Sequence, residues 1–279
     1  MASNKVQFLG NREPAPFRVI NREATRPLLL VCDHASKTIP VSLNNLGIEP
    51  GKSETHIAWD IGAAGLCEKL SEHLGATAVL TTYSRLVIDC NRRLNDPTAF
   101  VTVADGTSVP GNENLDQDAR CARIENIYQP YHEVIQACLN RQLAANKTPA
   151  MLSIHSFTPV LEGLHRPWHI GVMWDRDPRI PVPLMHNLAK QNGLMIGDNE
   201  PYSGRHHWDY TVDHHAEANG LPHTVIEVRQ DLLADEAAQT HWANILAEAL
   251  EPVLADDALY RMEKFTLRQS VKQPVGEIT

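Results

Sequence analysis

A chain of 279 residues with 43% apolar and 21% charged residues is long enough to bury a sizeable core without disulfides or a partner. Its formal net charge of −9 contains no basic run, so no nucleic-acid partner is expected. Five scattered cysteines without a CxxC pair speak against both a disulfide framework and a thiolate zinc cluster.

The opening MASNKVQFLGNREPAP has no basic segment ahead of an apolar one. No apolar run approaches the roughly 20 residues of a membrane span. A soluble, cytoplasmic protein with no membrane partner is therefore expected. Fourteen histidines without a histidine tract point to metal or proton chemistry.

Apolar runs bounded by turn residues predict strands at 28–32, 78–82, 86–88, 151–154, 169–174 and 224–228. Their continuous apolar character predicts cover on both faces. Helical periodicity predicts helices over 53–74, 118–146, 183–192 and 236–254. This alternation predicts one α/β domain, a three-layer α/β/α sandwich around a mostly parallel mixed sheet. Residues 1–25 read as an N-terminal extension, 97–114 as a long loop that shapes or covers a site, and 260–279 as a C-terminal tail.

Ligands of open α/β sheets bind beyond the carboxyl ends of strands, so polar residues following the apolar runs are the candidates. In LLLVCDHAS a strand runs into Asp33 and His34, and in MLSIHSFTP another runs into His155, Ser156 and Thr158. Imidazoles at two strand ends of one sheet can converge on a metal. In HIAWDIG, His56 and Asp60 are spaced i, i+4, which on a helix gives two ligands, a ligand with its partner, or an ordinary exposed pair.

Glu227 interrupts the apolar run of TVIEVRQDL, where a carboxylate is costly unless it meets a cation, works as acid and base, or pairs with Arg229 or another arginine. In YSRLVIDCNRR the group Arg85, Asn91, Arg92 and Arg93 suits a substrate carboxylate, although Asp89 is an internal partner for one arginine on the alternative reading. The stretch YSGRHHWDYTVDHHAEANG, with Arg205, His206, His207, His214 and His215, reads as a turn and short helix near the cleft. Most of its histidines are expected to support or face solvent rather than ligate.

Taken in order, DHAS, HIAWDIGA, YSRLVIDCNR, IHSFTP, the 204–215 stretch and VIEVRQDL resemble the N-formylglutamate amidohydrolase family over residues 28–232. That family is similar in turn to the zinc-dependent exopeptidases, which implies their phosphorylase/hydrolase-like sandwich. The resemblance implies one divalent metal, Zn2+ by kinship, on His34, Asp60 and His155, with His56 as the alternative third ligand. It implies Glu227 as the catalytic carboxylate and Arg85, Asn91 and Arg92 as the substrate-binding group.

Two departures stand out. Lys37 occupies the place where such exopeptidases put a carboxylate ligand, so the acid ligand must come from further along. DHAS and IHSF replace PHSG and CHSM. The implied reaction is hydrolysis of a small N-acyl amino acid, with N-formylglutamate giving formate and glutamate as the lead case. A related N-acyl or N-formimino amino acid, or a small peptide, is the alternative substrate. A metal- or carboxylate-binding protein without turnover is the alternative of another class.

Overall fold

Seven strands form one sheet in a computed structural model that describes residues 8–10, 12–206 and 209–266. In chain order they are β1 (Phe17–Ile20), β2 (Leu28–Cys32), β3 (Thr77–Thr81), β4 (Ala150–Phe157), β5 (Ile170–Met173), β6 (Ile196–Asp198) and β7 (His223–Arg229). Across the sheet the order is β1-β3-β2-β4-β7-β5-β6. The β3–β2, β2–β4, β4–β7 and β5–β6 pairings are parallel, and β1–β3 and β7–β5 are antiparallel.

The central strands β2 and β4 are buried along their whole length because both faces are covered. From β2, Leu28, Leu30 and Cys32 enter the core under α1 (Ala63–Leu74), α4 (Pro181–Leu188) and α6 (Glu236–Leu254), while Leu29 and Val31 enter the opposite core. That second layer holds α2 (Gln117–Arg123), α3 (Gln129–Ala144) and α5 (Thr211–His215). The result is the expected three-layer α/β/α sandwich. α6 starts where expected, since the Asp235 side chain accepts from the backbone N of Ala238.

Several expectations change. The run at 86–88 is buried but is a turn, not a strand. Its carbonyls are satisfied by side chains instead of a neighbouring strand: Leu86 O accepts from Asn112 Nδ2 at 2.8 Å, and Val87 O from the buried Arg123 guanidinium at 2.8 Å. The helix expected over 53–74 begins only at Ala63. Gly62 sits at φ +81°, where a side chain would also run into Leu233, so the chain turns sharply just before the helix.

The long helix over 117–144 contains a π turn at Ile124–Tyr128 between α2 and α3. Of the extension expected over 1–25, residues 1–7 and 11 lie outside the described residues, and Phe17–Ile20 form β1, the sheet edge against β3. The loop at 97–114 carries a small hairpin, Val103–Ala104 with Thr107–Ser108. The tail packs as far as it is described, with Glu263 N donating to Gly220 O at 2.8 Å, and residues 267–279 lie outside the described residues.

Candidate metal centre and cleft

The parallel core aligns β2, β4 and β7, and its alternation decides which side chains meet. On β4, Leu152 and Ile154 face the α1 layer, which sends His155 with Met151 to the other. On β7, Ile226 and Val228 likewise face α1, which sends Glu227 with Val225 to the side of His155, and the two are paired in register. His155 lies inside its strand rather than past its end.

His34 follows β2, and its carbonyl accepts from the backbone N of Asp60 at 2.9 Å. The segment before α1 is held down at two further points. Ser84 Oγ donates to Ala58 O at 2.7 Å, and Ser156 Oγ donates to Ile61 O at 2.8 Å. Asp60 is thereby fixed by tertiary contacts and not by a helical face shared with His56.

His34, Asp60 and His155 converge, with one ligand atom from each lying within 4.8 Å of the others. Nδ1 of His155 is 2.8 Å and Nδ1 of His34 is 3.4 Å from Oδ2 of Asp60. The remote nitrogens are also engaged: His34 Nε2 with Asp89 Oδ1 at 2.7 Å, and His155 Nε2 with Ser153 Oγ at 2.9 Å and Asp33 Oδ2 at 3.2 Å. Asp33 is held in turn by the Thr211 hydroxyl of α5 at 2.6 Å. Carboxylates that fix the far nitrogen of an imidazole are the usual support of metal-ligating histidines.

The electrostatics fit a dication. Asp33, Asp60, Asp89 and Glu227 are all buried, and the Arg85 guanidinium meets two of them, 2.7 Å from Asp89 and 3.6 Å from Asp60. Burial opposes the charge on Asp60, but His34 and His155 hold its pKa far below the usual carboxylate range. Burial likewise opposes protonation of His155, yet Asp33 and Asp60 raise its pKa well above the ordinary value.

So much buried negative charge demands either protons on both rings or a bound cation. Nδ1 of His34 is buried and makes no hydrogen bond, which leaves a lone pair turned into the cluster. Glu227 behaves differently from its neighbours. Burial pushes its carboxyl up to about 8, with Asp60 and Asp209 adding to the effect, and its Oε2 has no hydrogen-bond partner. Arg229, a candidate partner for it, pairs with Asp231 instead, at 2.8 Å.

All seven candidates, His34, Asp60, Arg85, Asn91, Arg92, His155 and Glu227, line one cleft of about 160 Å³. That space suits a small ligand, being below the roughly 300–1,000 Å³ of drug-sized sites. Their engagements differ. Arg85 grips Asp89 with Nε and a terminal nitrogen, so the internal pairing considered for Asp89 is present.

Asn91 points its amide inward. Its Nδ2 donates to Asp209 at 2.8 Å, and its Oδ1 accepts from the backbone N of Tyr210 and of Thr211, each at 3.0 Å. Arg92 reaches Asp209 at 3.3 Å.

His56 also lines the cleft but turns to Asp105 of the 103–108 hairpin, at 3.3 Å, and stands outside the cluster. His206 is exposed, His215 is buried against His132 at 3.0 Å, His214 stacks on Tyr210, and His207 lies outside the described residues. Tyr202 and Arg166 are not singled out by the sequence pattern, and Thr158 is marked there only as a polar residue beyond a strand. Tyr202, Thr158 and Asp209 all line the cleft.

Comparison with known proteins agrees with this architecture. An N-formylglutamate deformylase of Pseudomonas aeruginosa is 26% identical over 248 residues, which cover 82% of this chain and 90% of that protein. The crystal structure of a gene product from Agrobacterium tumefaciens superposes with a TM-score of 0.86 at 35% identity, covering 89% of this chain and 98% of the other. An N-formylglutamate amidohydrolase from Ralstonia eutropha shares the fold with a TM-score of 0.63 at 18% identity, covering 86% and 97%. Residues 26–234, which carry every strand from β2 to β7 and the whole of the cleft, match the sequence profile of N-formylglutamate amidohydrolase, and the chain belongs to that family.

Proposed function

We propose that this chain hydrolyses the amide bond of a small N-acyl amino acid, with N-formylglutamate as the lead substrate, at one divalent metal held by His34, Asp60 and His155. The observation that carries the reading is the convergence of those three side chains within 4.8 Å, with Glu227 in register beside His155. Two imidazoles and one carboxylate suit Zn2+ with a coordination position left for substrate or water. Bound there, such an ion supplies Lewis acidity that acidifies water and polarises an amide carbonyl.

Glu227 moves the proton. A carboxyl pushed up to about 8 gains and loses a proton near neutrality, so it accepts one from the attacking water and hands it to the departing amine nitrogen. The water oxygen bonds to the formyl carbon, the carbon–nitrogen bond breaks, and formate and the free amino acid leave. Asp89 and Asp33 keep the two imidazoles in the tautomers that face the cluster.

Arg85 and Arg92 present guanidinium groups to a substrate carboxylate. Asn91 contributes by holding Asp209 and the start of α5 in place beside them. All five cysteines are free thiols, which suits a reducing compartment such as the cytoplasm.

Incubating the purified protein with N-formylglutamate tests the reading. Equimolar formate and glutamate are expected, abolished by a chelator and restored by Zn2+. Glu227→Gln is expected to keep the metal while turnover falls by roughly 10²–10⁴. Failure to release amine from any N-formyl, N-formimino or other N-acyl amino acid would overturn the proposal.

A further inference from the structure

Charge is unevenly satisfied around the cleft. Arg85 is matched by Asp89 and Asp60, Arg92 by Asp209, and Arg229 by Asp231. Arg166 is the exception: among the described residues it has no carboxylate within ion-pair distance. It follows the short hairpin Val160–Leu161 with Leu164–His165 that leaves the end of β4. Its backbone is pinned on both sides, the N donating to Pro159 O at 2.9 Å and the O accepting from the Arg229 guanidinium at 3.4 Å.

The side chain is half-buried, its guanidinium 4.7 Å from the Tyr202 ring and 6.0 Å from that of Phe157. Both rings line the cleft. One terminal nitrogen donates to the Tyr202 hydroxyl at 2.9 Å. That bond uses one of five donors, and it leaves the Tyr202 hydroxyl proton available to an acceptor in the cleft. The charge is felt inside the cleft as well. Burial lowers the pKa of His56, and the Arg166 charge pushes the same way against the opposing Asp105.

A cation stacked between two aromatic walls, with its fork mostly unused and no internal counterion, is prepared for an anion that arrives from outside. We propose that Arg166, together with the Tyr202 hydroxyl, receives the side-chain carboxylate of the substrate and so selects acidic N-acyl amino acids over neutral ones. The inference rests on the amidohydrolase reading and deepens it. Arg85 and Arg92 serve the carboxylate beside the scissile nitrogen, and Arg166 serves the one at the far end.

N-formylglutamate and N-formylglutamine separate these roles, because they differ only in the distal charge. The wild-type protein should prefer the glutamate compound. Arg166→Gln should lower kcat/KM for N-formylglutamate by about ten- to a hundredfold, mainly through KM, and leave N-formylglutamine within about twofold. Tyr202→Phe should give a smaller loss with the same selectivity.

An equal loss on both substrates, or no loss on either, would overturn the assignment and leave Arg166 a packing residue. Should Arg166→Gln not fold, Arg166→Lys takes its place, with a selective loss supporting the inference and a uniform one overturning it. A wild-type protein indifferent to the distal charge would end this inference while the amidohydrolase reading stands. A wild type that hydrolyses neither compound would remove both.

Discussion

Nε2 of His34 lies 2.7 Å from Oδ1 of Asp89, which leaves Nδ1 as the nitrogen turned toward Asp60. Asp89 thus decides the tautomer of a residue it does not resemble in role. Asp89→Asn is expected to weaken divalent-metal affinity by about ten- to a hundredfold, read by competition with a chromophoric chelator. Unchanged affinity would mean that the ring is oriented by something else.

Asn91 and Arg92 are neighbours in sequence with separable duties. Arg92→Ala should raise KM for carboxylate-bearing substrates and leave the melting temperature near that of the wild type. Asn91→Ala removes the acceptor for two backbone N–H groups at the start of α5, so it should cost about 0.5–2 kcal/mol of stability, as lost helix caps do. Urea denaturation of both variants beside steady-state kinetics checks this, and a stable Asn91→Ala variant with a raised KM alone would contradict it.

Acid should destabilise the protein through a buried histidine pair. Burial holds His132 down to about 4 and His215 down to about 3, the latter pushed further by its neighbour. Folded values below the unfolded value of about 6.5 mean that the neutral pair contributes fully above about pH 6.5 and that this contribution is lost as the pH falls toward 4. His215→Gln should flatten the decline in urea midpoint between about pH 7 and about pH 5. An unaltered slope would place the acid sensitivity elsewhere.

Arg123 anchors the segment that carries Asp89. Its buried guanidinium donates to Val87 O at 2.8 Å and to Gly111 O at 2.9 Å. Arg123→Leu leaves those carbonyls without donors and should cost at least about 3 kcal/mol, measured by thermal or urea unfolding. A cost under about 1 kcal/mol would show that water or a rearranged neighbour satisfies them.

The same contacts explain what sequence reveals and what it hides. Strands β2, β4 and β7 are legible because apolar residues supply both of their faces, with Glu227 conspicuous as an acid inside such a run and His155 as an imidazole directly after one. Leu86–Ile88 is equally apolar, yet the donors that satisfy it come from Asn112 and Arg123, more than twenty residues away. Local pattern holds no trace of them.

His56 and Asp60 have helical spacing, but the helix begins only at Ala63, after the turn at Gly62, so the two residues share no helical face. β1 and β6 escape notice because edge strands of four and three residues are too short to show a period. Arg166 is hidden for another reason. Among the described residues no carboxylate lies within ion-pair distance of it, which becomes visible only when every neighbour's partner is known.

Metal analysis of the purified protein beside His34→Ala and His155→Ala tests the central claim most directly. The account predicts about one divalent ion per wild-type chain, and loss of tight binding in each variant while the fold persists by circular dichroism. Full metal content in both variants would contradict it.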